Sequence, residues 1–113
     1  MGRFVSIAEG DFDWEWKLCF AQQCSNFGFI LEMVKGDGVS VERFTGESGE
    51  YVRLNTEREK LLKKLKELKI EECPVCKSAE CLEATREMIK DFTEAVSKHQ
   101  EDEIYTTFFV EYI

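Results

Sequence analysis

The residues most able to do chemistry lie in the segment 73–81 (CPVCKSAEC), which holds three of the five cysteines and the only proline. Thiols can undergo disulfide chemistry or bind a metal ion, so Cys73, Cys76 and Cys81 form the candidate site. A structural interpretation stands beside these two. In it, the cysteines are small buried apolar side chains, or a pair of them forms a structural disulfide. The sequence leaves all three interpretations open.

The redox interpretation depends on the position of Cys73-Pro74-Val75-Cys76 just before a predicted helix. Unbonded N–H groups at a helix start stabilise a thiolate, and proline suits the first helical position because its missing N–H costs nothing there. A thioredoxin domain also needs a second proline, in the cis form, opposite the dithiol. Because this chain has a single proline, the local motif fits redox chemistry but the thioredoxin fold does not.

The zinc interpretation rests on the shape of Cys-Pro-x-Cys-Lys, which is that of half a zinc knuckle. Its tight turn points both sulfurs at one tetrahedral ion. Cys81 would be a third ligand, and the fourth must come from Cys19, Cys24 or another chain. His99 is excluded if the helix from Ser78 is continuous, because 18 residues at ~1.5 Å each place it about 27 Å from Cys81. Zinc is therefore the cofactor that this pattern would hold.

A second candidate site lies where a predicted strand leads into a predicted helix. The hydrogen-bonding side chains of Gln22, Gln23, Ser25 and Asn26 cluster there. Exposed N–H groups at the helix start could bind an anion or an amide-bearing ligand beside them. The alternative is that these side chains cap the helix and line a hydrated loop.

The composition is that of one folded domain with an acidic surface. A chain of 113 residues with 43 % hydrophobic residues can bury a single core, so we predict one domain over residues 1–113. The net charge of −8 repels phosphate groups and anionic lipids, so we expect no nucleic-acid or membrane partner. No segment resembles a signal peptide or a membrane span, which predicts a cytoplasmic protein. Abundant Glu and Lys with little Pro and Gln is typical of thermophiles.

Alternation and helical spacing predict the secondary structure. The clearest strand is 12–20, where Phe12, Trp14 and Trp16 share an apolar face and should be buried. A capping box at Thr56 predicts a helix start, the link 46–50 is expected to be exposed, and His99 is expected at the surface or as a helix cap. The predicted elements are strands 3–9 and 12–20, a helix ending before Gly36, strands 39–45 and 51–54, helices 56–69 and 78–98, and strand 104–113.

This order, β-β-α-β-β-α-α-β, indicates an α+β fold: an antiparallel sheet of about five strands with three helices packed mainly on one face. The strand 104–113 is apolar on both of its faces, with Phe109 and Ile113 on one and Phe108 and Tyr112 on the other. One layer of helices can cover only one face. We therefore expect a second copy to cover the other face in a homodimer, unless the N-terminal hairpin or the first helix wraps round to it.

Neither an acid–base pair, nor a nucleophile with its base, nor a cofactor-binding loop is evident in the sequence. We therefore predict a non-enzymatic binding or regulatory module that self-associates. The alternative is a thiol-based protein that uses Cys73 and Cys76 for disulfide chemistry or zinc binding. The two hypotheses differ in whether the thiols are accessible and whether a metal accompanies the protein.

Overall fold

The computed structural model describes residues 3–10, 12, 16–19, 26–47, 49–73 and 77–112. These residues form an α+β fold, and the order of the elements is the predicted one. The bounds are β1 Arg3–Gly10, β2 Trp16–Cys19, α1 Asn26–Val34, β3 Ser40–Thr45, β4 Gly49–Glu57, α2 Arg58–Glu67, α3 Ala79–Lys98 and β5 Glu103–Tyr112.

The strands of the described residues form one antiparallel sheet in the spatial order β2-β1-β5-β4-β3. β5 therefore lies in the middle and pairs with β1 on one side and β4 on the other. Phe108 is opposite Ile7 of β1 and Val52 of β4. A strand at this position is hydrogen-bonded along both of its edges. The prediction of an α+β fold with an antiparallel sheet and three helices is confirmed.

The hydrophobic core lies between one face of the sheet and the helices. Side chains alternate along a strand, and the even-numbered residues of β4, and of β5 as far as Val110, face this core. The ring of Phe108 contacts the rings of Phe12, Phe27 and Phe92 edge-on, with centroid distances of 6.2, 5.0 and 6.0 Å. Each of the three helices contributes buried residues to the same cluster, which includes Phe27, Ile30, Leu31, Val34, Leu61, Leu65, Met88, Phe92 and Val96.

The buried stripe of α3 agrees in part with the predicted one. Spacings of three and four residues predict a stripe of Leu82, Thr85, Ile89, Phe92, Val96 and His99, widened by Met88 and Ala95. The structure buries Thr85, Met88, Phe92 and Val96, together with Cys81. The half-buried members are Leu82, Ile89, Ala95 and His99, so the stripe that meets the sheet is rotated slightly toward Cys81 and Met88. Ser78 caps the helix start, and His99 caps its end as predicted.

The capping box predicted at Thr56 is wrong. Thr56 lies inside β4, is buried, and donates its hydroxyl hydrogen to the carbonyl of Glu57. Pairing between β4 and β5 continues to Glu57, so the extended conformation prevails over the local helix signal. α2 starts one residue later and has no side-chain cap. The N–H of Arg58 donates instead to the Asp102 carbonyl at 2.7 Å, and its guanidinium donates to the carbonyl of His99.

The other end of α2 is tied to the turn between α1 and β3. Lys64 Nζ lies 2.7 Å from Asp37 Oδ2. The hydrogen bond from Lys64 lowers the pKa of the Asp37 carboxyl, and its positive charge adds to the effect. Because the Asp37 side chain is 84 % exposed to solvent, this pair positions the turn more than it stabilises the fold.

The second predicted strand is shorter than expected in the described residues. β2 covers Trp16–Cys19, and Phe12 is buried but lies outside a strand. Its burial confirms the predicted apolar face at that position. Trp14 lies outside the described residues, as does the side chain of Trp16, so the burial of the tryptophans stays a prediction.

The link 46–50 was expected to be exposed, and its second half is not. Gly49 and Glu50 open β4 and are both buried. A Cβ atom at Gly49 would lie 2.0 Å from the carbonyl oxygen of Val110 on β5. A glycine is therefore required there, because the obstacle is the backbone of the central strand, which cannot move aside.

We predict that Gly49→Ala destabilises the protein by about 2–3 kcal/mol, since the extra methyl group forces β4 away from β5. The matched control is Gly46→Ala across the same turn. Its Cβ would meet only the ring of Tyr51, at 3.1 Å, and the cost should stay below about 1 kcal/mol because that ring can move. Urea unfolding followed by circular dichroism measures both. Equal stability losses would contradict the close approach of β4 and β5.

Candidate functional site

A backbone hydrogen bond joins Lys77 to Cys73 ahead of α3. The N–H of Lys77 donates to the carbonyl of Cys73 at 3.2 Å, and Lys77 adopts the left-handed conformation with φ of 61°. Cys81 lies in the first turn of α3, where its N–H donates to the hydroxyl of the capping Ser78 at 3.2 Å. Cys73 and Cys81 form a small buried cluster, separate from the main core.

Burial is the main property of these two thiols. Cys73 is fully enclosed and Cys81 nearly so. Cys76 lies outside the described residues, as do Cys24 and the side chain of Cys19. Among the residues that are described, no group of three or more His, Cys, Asp and Glu is arranged to hold a metal ion. The redox, zinc and structural interpretations therefore all stay predictions.

Most of the second predicted site also lies outside the described residues. Gln22, Gln23 and Ser25 lie outside the described residues, and Asn26 opens α1 with its side chain outside them. The structure places a different polar group beside this helix start. A Cβ atom at Gly28 would lie 2.6 Å from Glu50 Oε1 and 3.2 Å from Arg43 Cζ. The first turn of α1 therefore packs directly on a carboxylate–guanidinium pair.

The pair contains Glu50, whose carboxylate is the one acidic group buried in the described part of the sheet. Glu50 Oε2 accepts a hydrogen bond from Arg43 Nη2 at 3.0 Å, and the Glu50 side chain is 9 % exposed. Its other oxygen, Oε1, is buried and has no hydrogen-bond partner among the described residues. The Arg43 guanidinium also lies over the ring of Phe29, 5.2 Å from its centroid. This arrangement fastens α1 to the edge of the sheet. The sequence did not predict this ion pair, because the link 46–50, which includes Glu50, was expected to be exposed.

The face of the sheet that points away from Phe108 carries a row of aromatic rings. Phe44 of β3 stacks on Tyr51 of β4 at 5.2 Å with an interplanar angle of 5°. Tyr51 in turn contacts Phe109 of β5 at 4.9 Å. Phe44 is 42 % exposed, and Tyr105, further along β5 on the same side, is 51 % exposed. We call this surface, defined by Phe44, Tyr51, Arg53, Tyr105 and Phe109, the open face.

A row of charged groups crosses the open face beside the rings. Arg53 of β4 lies between Glu42 at 3.5 Å and Glu9 at 3.9 Å. Its guanidinium is also 5.4 Å from the centroid of the Phe44 ring. Glu9 Oε1 accepts a hydrogen bond from the Thr107 hydroxyl at 3.0 Å. One cation thus organises two carboxylates and an aromatic ring on a flat surface.

The open face has the chemistry of a contact surface. Stacked rings supply apolar area, and the central arginine is a group that protein interfaces often use. Alternation of 104–113 signalled this face in the sequence through Phe109. Phe44, Tyr51 and Arg53 carry no local signal, because only the register of β3, β4 and β5 brings them side by side.

No known protein family, curated protein or solved structure matches this chain. Within the described residues, none of the helices combines the length and the apolar composition that a membrane crossing requires.

The burial of Cys73 and Cys81 predicts slow alkylation. We expect iodoacetamide to modify both at least about a hundredfold more slowly in the native protein than in urea, since reaction needs local opening of the structure. Peptide mapping by mass spectrometry after timed quenching gives each rate separately. If Cys73 reacts as fast in the native protein as in urea, the thiol is accessible and the redox interpretation gains support.

Proposed function

We propose that the chain is a non-enzymatic binding or regulatory module that works as a homodimer, with the two copies joined through their open faces. The observation that carries this proposal is the aromatic row of Phe44, Tyr51 and Phe109 on the side of the sheet opposite the helices, in which Phe44 is exposed and the other two rings are half-buried. Each exposed ring forgoes ~25 cal/mol for every Å² that a partner could bury. The exposure of Phe44 and Tyr105 supports a partner here.

The size of the open face supports a second copy as that partner. The five strands have 8, 4, 6, 9 and 10 residues, and strands spaced ~4.8 Å apart and rising ~3.4 Å per residue then give the sheet a surface of about 600 Å². A stable interface buries about 800 Å² on each partner. A flat surface of this size, rather than a cleft, fits another flat surface. A copy of the same sheet provides one by two-fold symmetry.

The charge distribution also supports pairing through this face. The chain carries a net charge of −8, so most ways of bringing two copies together are repulsive. The outer side of α3, for example, exposes Glu80, Glu83, Glu87, Asp91 and Glu94. On the open face, by contrast, Arg53 offsets part of the charge of Glu42 and Glu9. Two open faces can therefore approach with less repulsion.

Pairing of two copies along the free edge of β3 is less favourable. Two copies of β3 that pair antiparallel are related by a two-fold axis perpendicular to the sheet. The open face is then on the same side in both copies, so two residues directly opposite each other must have side chains on the same face. The two registers that align most of β3 place Glu42 opposite its own copy or Arg43 opposite its own copy. Like charges directly opposite each other are destabilising. The face, and not the edge, is thus the surface that we assign to self-association.

We predict that the wild-type protein is a dimer at micromolar concentration. Sedimentation equilibrium should then give twice the monomer mass of 13.2 kDa. Phe109→Glu should weaken the dimer by about thirtyfold or more, because it places a charge in the centre of the contact. Tyr105→Glu is the second variant, since a side chain that is half exposed can be replaced without disturbing the monomer fold. It should also shift the equilibrium toward the monomer.

Phe29→Glu is the matched control, since it makes the same change at a ring of similar exposure, 39 %, on the outer side of α1. It should leave the dimer intact. A wild-type mass of 13.2 kDa at every concentration would refute self-association through this face. Dissociation by Phe29→Glu together with an unaffected Tyr105→Glu dimer would move the interface to the helix side.

A thiol-based role is the alternative function, and the pairing of Cys73 with Cys81 in one buried cluster is the observation that favours it. Two free cysteines enclosed together suit a zinc site or a dithiol for disulfide chemistry. Native mass spectrometry of the purified protein tests the zinc site. A mass increase of one zinc ion that a chelator removes, with faster alkylation of Cys73 afterwards, would support the metal. Five titratable thiols in urea without reductant and no bound metal would instead favour the binding module.

A further inference from the structure

The free edge of the sheet at β3 is a regular strand. Among the described residues, β3 pairs with β4 alone, and its six residues keep an unbroken register from Ser40–Asn55 to Thr45–Glu50. Proteins usually protect such an edge with a bulge, a proline or a covering segment. β3 has no proline, its register has no shift, and all of its side chains except that of Val41 are exposed.

The hydrogen-bond pattern shows which backbone groups point outward. The N–H of Gly46 donates to the carbonyl of Gly49, so this pair is hydrogen-bonded across the turn. Hydrogen-bonded and non-hydrogen-bonded pairs alternate along an antiparallel ladder. Ser40, Glu42 and Phe44 therefore bond to β4. The N–H and carbonyl groups of Val41, Arg43 and Thr45 point to the open edge, spaced to receive one more strand.

Exposed apolar side chains flank the edge on both sides. On the helix side, Arg43 lies over the ring of Phe29, which is 39 % exposed. Met33, which is 45 % exposed, lies one turn further along α1. On the other side lies Phe44. A strand that adds to β3 would alternate its own side chains between these two sets. Its backbone would meet the outward groups, and half of its side chains would cover Phe29 and Met33.

The charge of the site determines which side chains an added strand should carry on the open side. Glu42 projects from the centre of β3 on the open side, with Arg53 of β4 at 3.5 Å and its side chain still 66 % exposed, and the whole chain has a net charge of −8. A basic side chain opposite Glu42 is therefore favoured. A second copy of β3 is disfavoured by the like-charge registers described above. The geometry and the charge thus select a different, basic strand.

We propose that the β3 edge, together with Phe29 and Met33, is a docking site for an extended peptide segment in which apolar residues alternate with Lys or Arg. The segment adds to the sheet as an antiparallel or parallel strand, a mode of recognition in which main-chain hydrogen bonds supply affinity and alternate side chains supply specificity. This site adjoins the dimer contact proposed above at Phe44 and differs from it at Thr45, Phe29 and Tyr105, so that variants at these positions test the two independently.

The probe is a fluorescein-labelled octapeptide of alternating Lys and Val, followed by fluorescence anisotropy against the full chain. Saturable binding is expected. Thr45→Pro should weaken it by about fivefold or more, because it removes one outward N–H without touching the bonds between β3 and β4. Thr45→Ala is the matched control, since it keeps the N–H, and it should bind as the wild type does. Phe29→Glu should weaken the binding of a peptide whose valines cover that ring.

Two further comparisons decide the assignment. The same peptide with a central proline should bind at least about fivefold more weakly, since it cannot continue the ladder. Tyr105→Glu, which lies on the open face, should leave peptide binding unchanged while it disrupts the dimer. Wild-type affinity for the proline-containing peptide, or for Thr45→Pro, would show attraction by charge alone and would overturn the proposal. A loss of dimer mass in Thr45→Pro would assign the edge to a second copy and would overturn it equally.

Hydrogen exchange on the wild-type protein covers the case in which Thr45→Pro does not fold. Saturating peptide should slow exchange of the amides of Val41, Arg43 and Thr45, which are unbonded in the free edge, and leave those of Glu42 and Phe44 nearly unchanged because they already bond to β4. Protection that appears only elsewhere in the sheet would overturn the proposal.

Discussion

The packing of helices around Phe108 is the interaction on which the rest of the structure depends. The ring of Phe108 lies on the central strand and contacts rings from α1, α3 and the segment before β2. Phe27 and Phe92 also contact each other, at 5.9 Å. Because this cluster draws all three helices to one face of the sheet, the opposite face is left with its strands alone among the described residues. The surfaces proposed for binding are a consequence of that one-sided packing.

The Glu50–Arg43 pair shows how the edge of the sheet is held in place at a cost. A carboxylate with one unpartnered buried oxygen is expensive to enclose. This carboxylate lies where α1, β3 and β4 meet, and it leaves no space for a side chain at position 28, which is a glycine. The same arginine lies over Phe29 at the free edge. Fastening α1 beside β3 therefore creates the apolar border along which we propose that a strand docks.

The open face and the free edge differ in the kind of partner that each suits. The open face is broad and flat, and Arg53 offsets part of the charge of its carboxylates, which are properties that two identical surfaces can share. The edge is narrow and presents backbone groups, with Glu42 and Arg43 in a spacing that opposes pairing with itself. A module that dimerises through one surface and receives an extended segment along another would hold two such segments at once.

Local patterns in the sequence were sufficient for the elements and their order. Alternation in 104–113 and helical spacing in 78–98 depend on neighbouring residues only, and the structure has β5 and α3 at nearly those positions. The same reasoning failed at Thr56, where pairing with β5 prevailed over a local capping signal, and at Glu50, which a turn-like composition placed in solvent. The candidate thiols could be named from the sequence, and the meeting of Cys73 with Cys81 needed the tertiary structure.

What the sequence determined by itself is the fold class, the acidic surface and the two-sided apolar character of β5, because each of these follows from the identity and spacing of residues close together in the chain. Only the tertiary structure decided which face of the sheet the helices cover and which residues meet on the other. Phe44, Tyr51 and Phe109 become neighbours through strand register, and Glu42, Arg53 and Glu9 do so in the same way. Register depends on pairing between distant segments, and that information is absent from any single stretch of the chain.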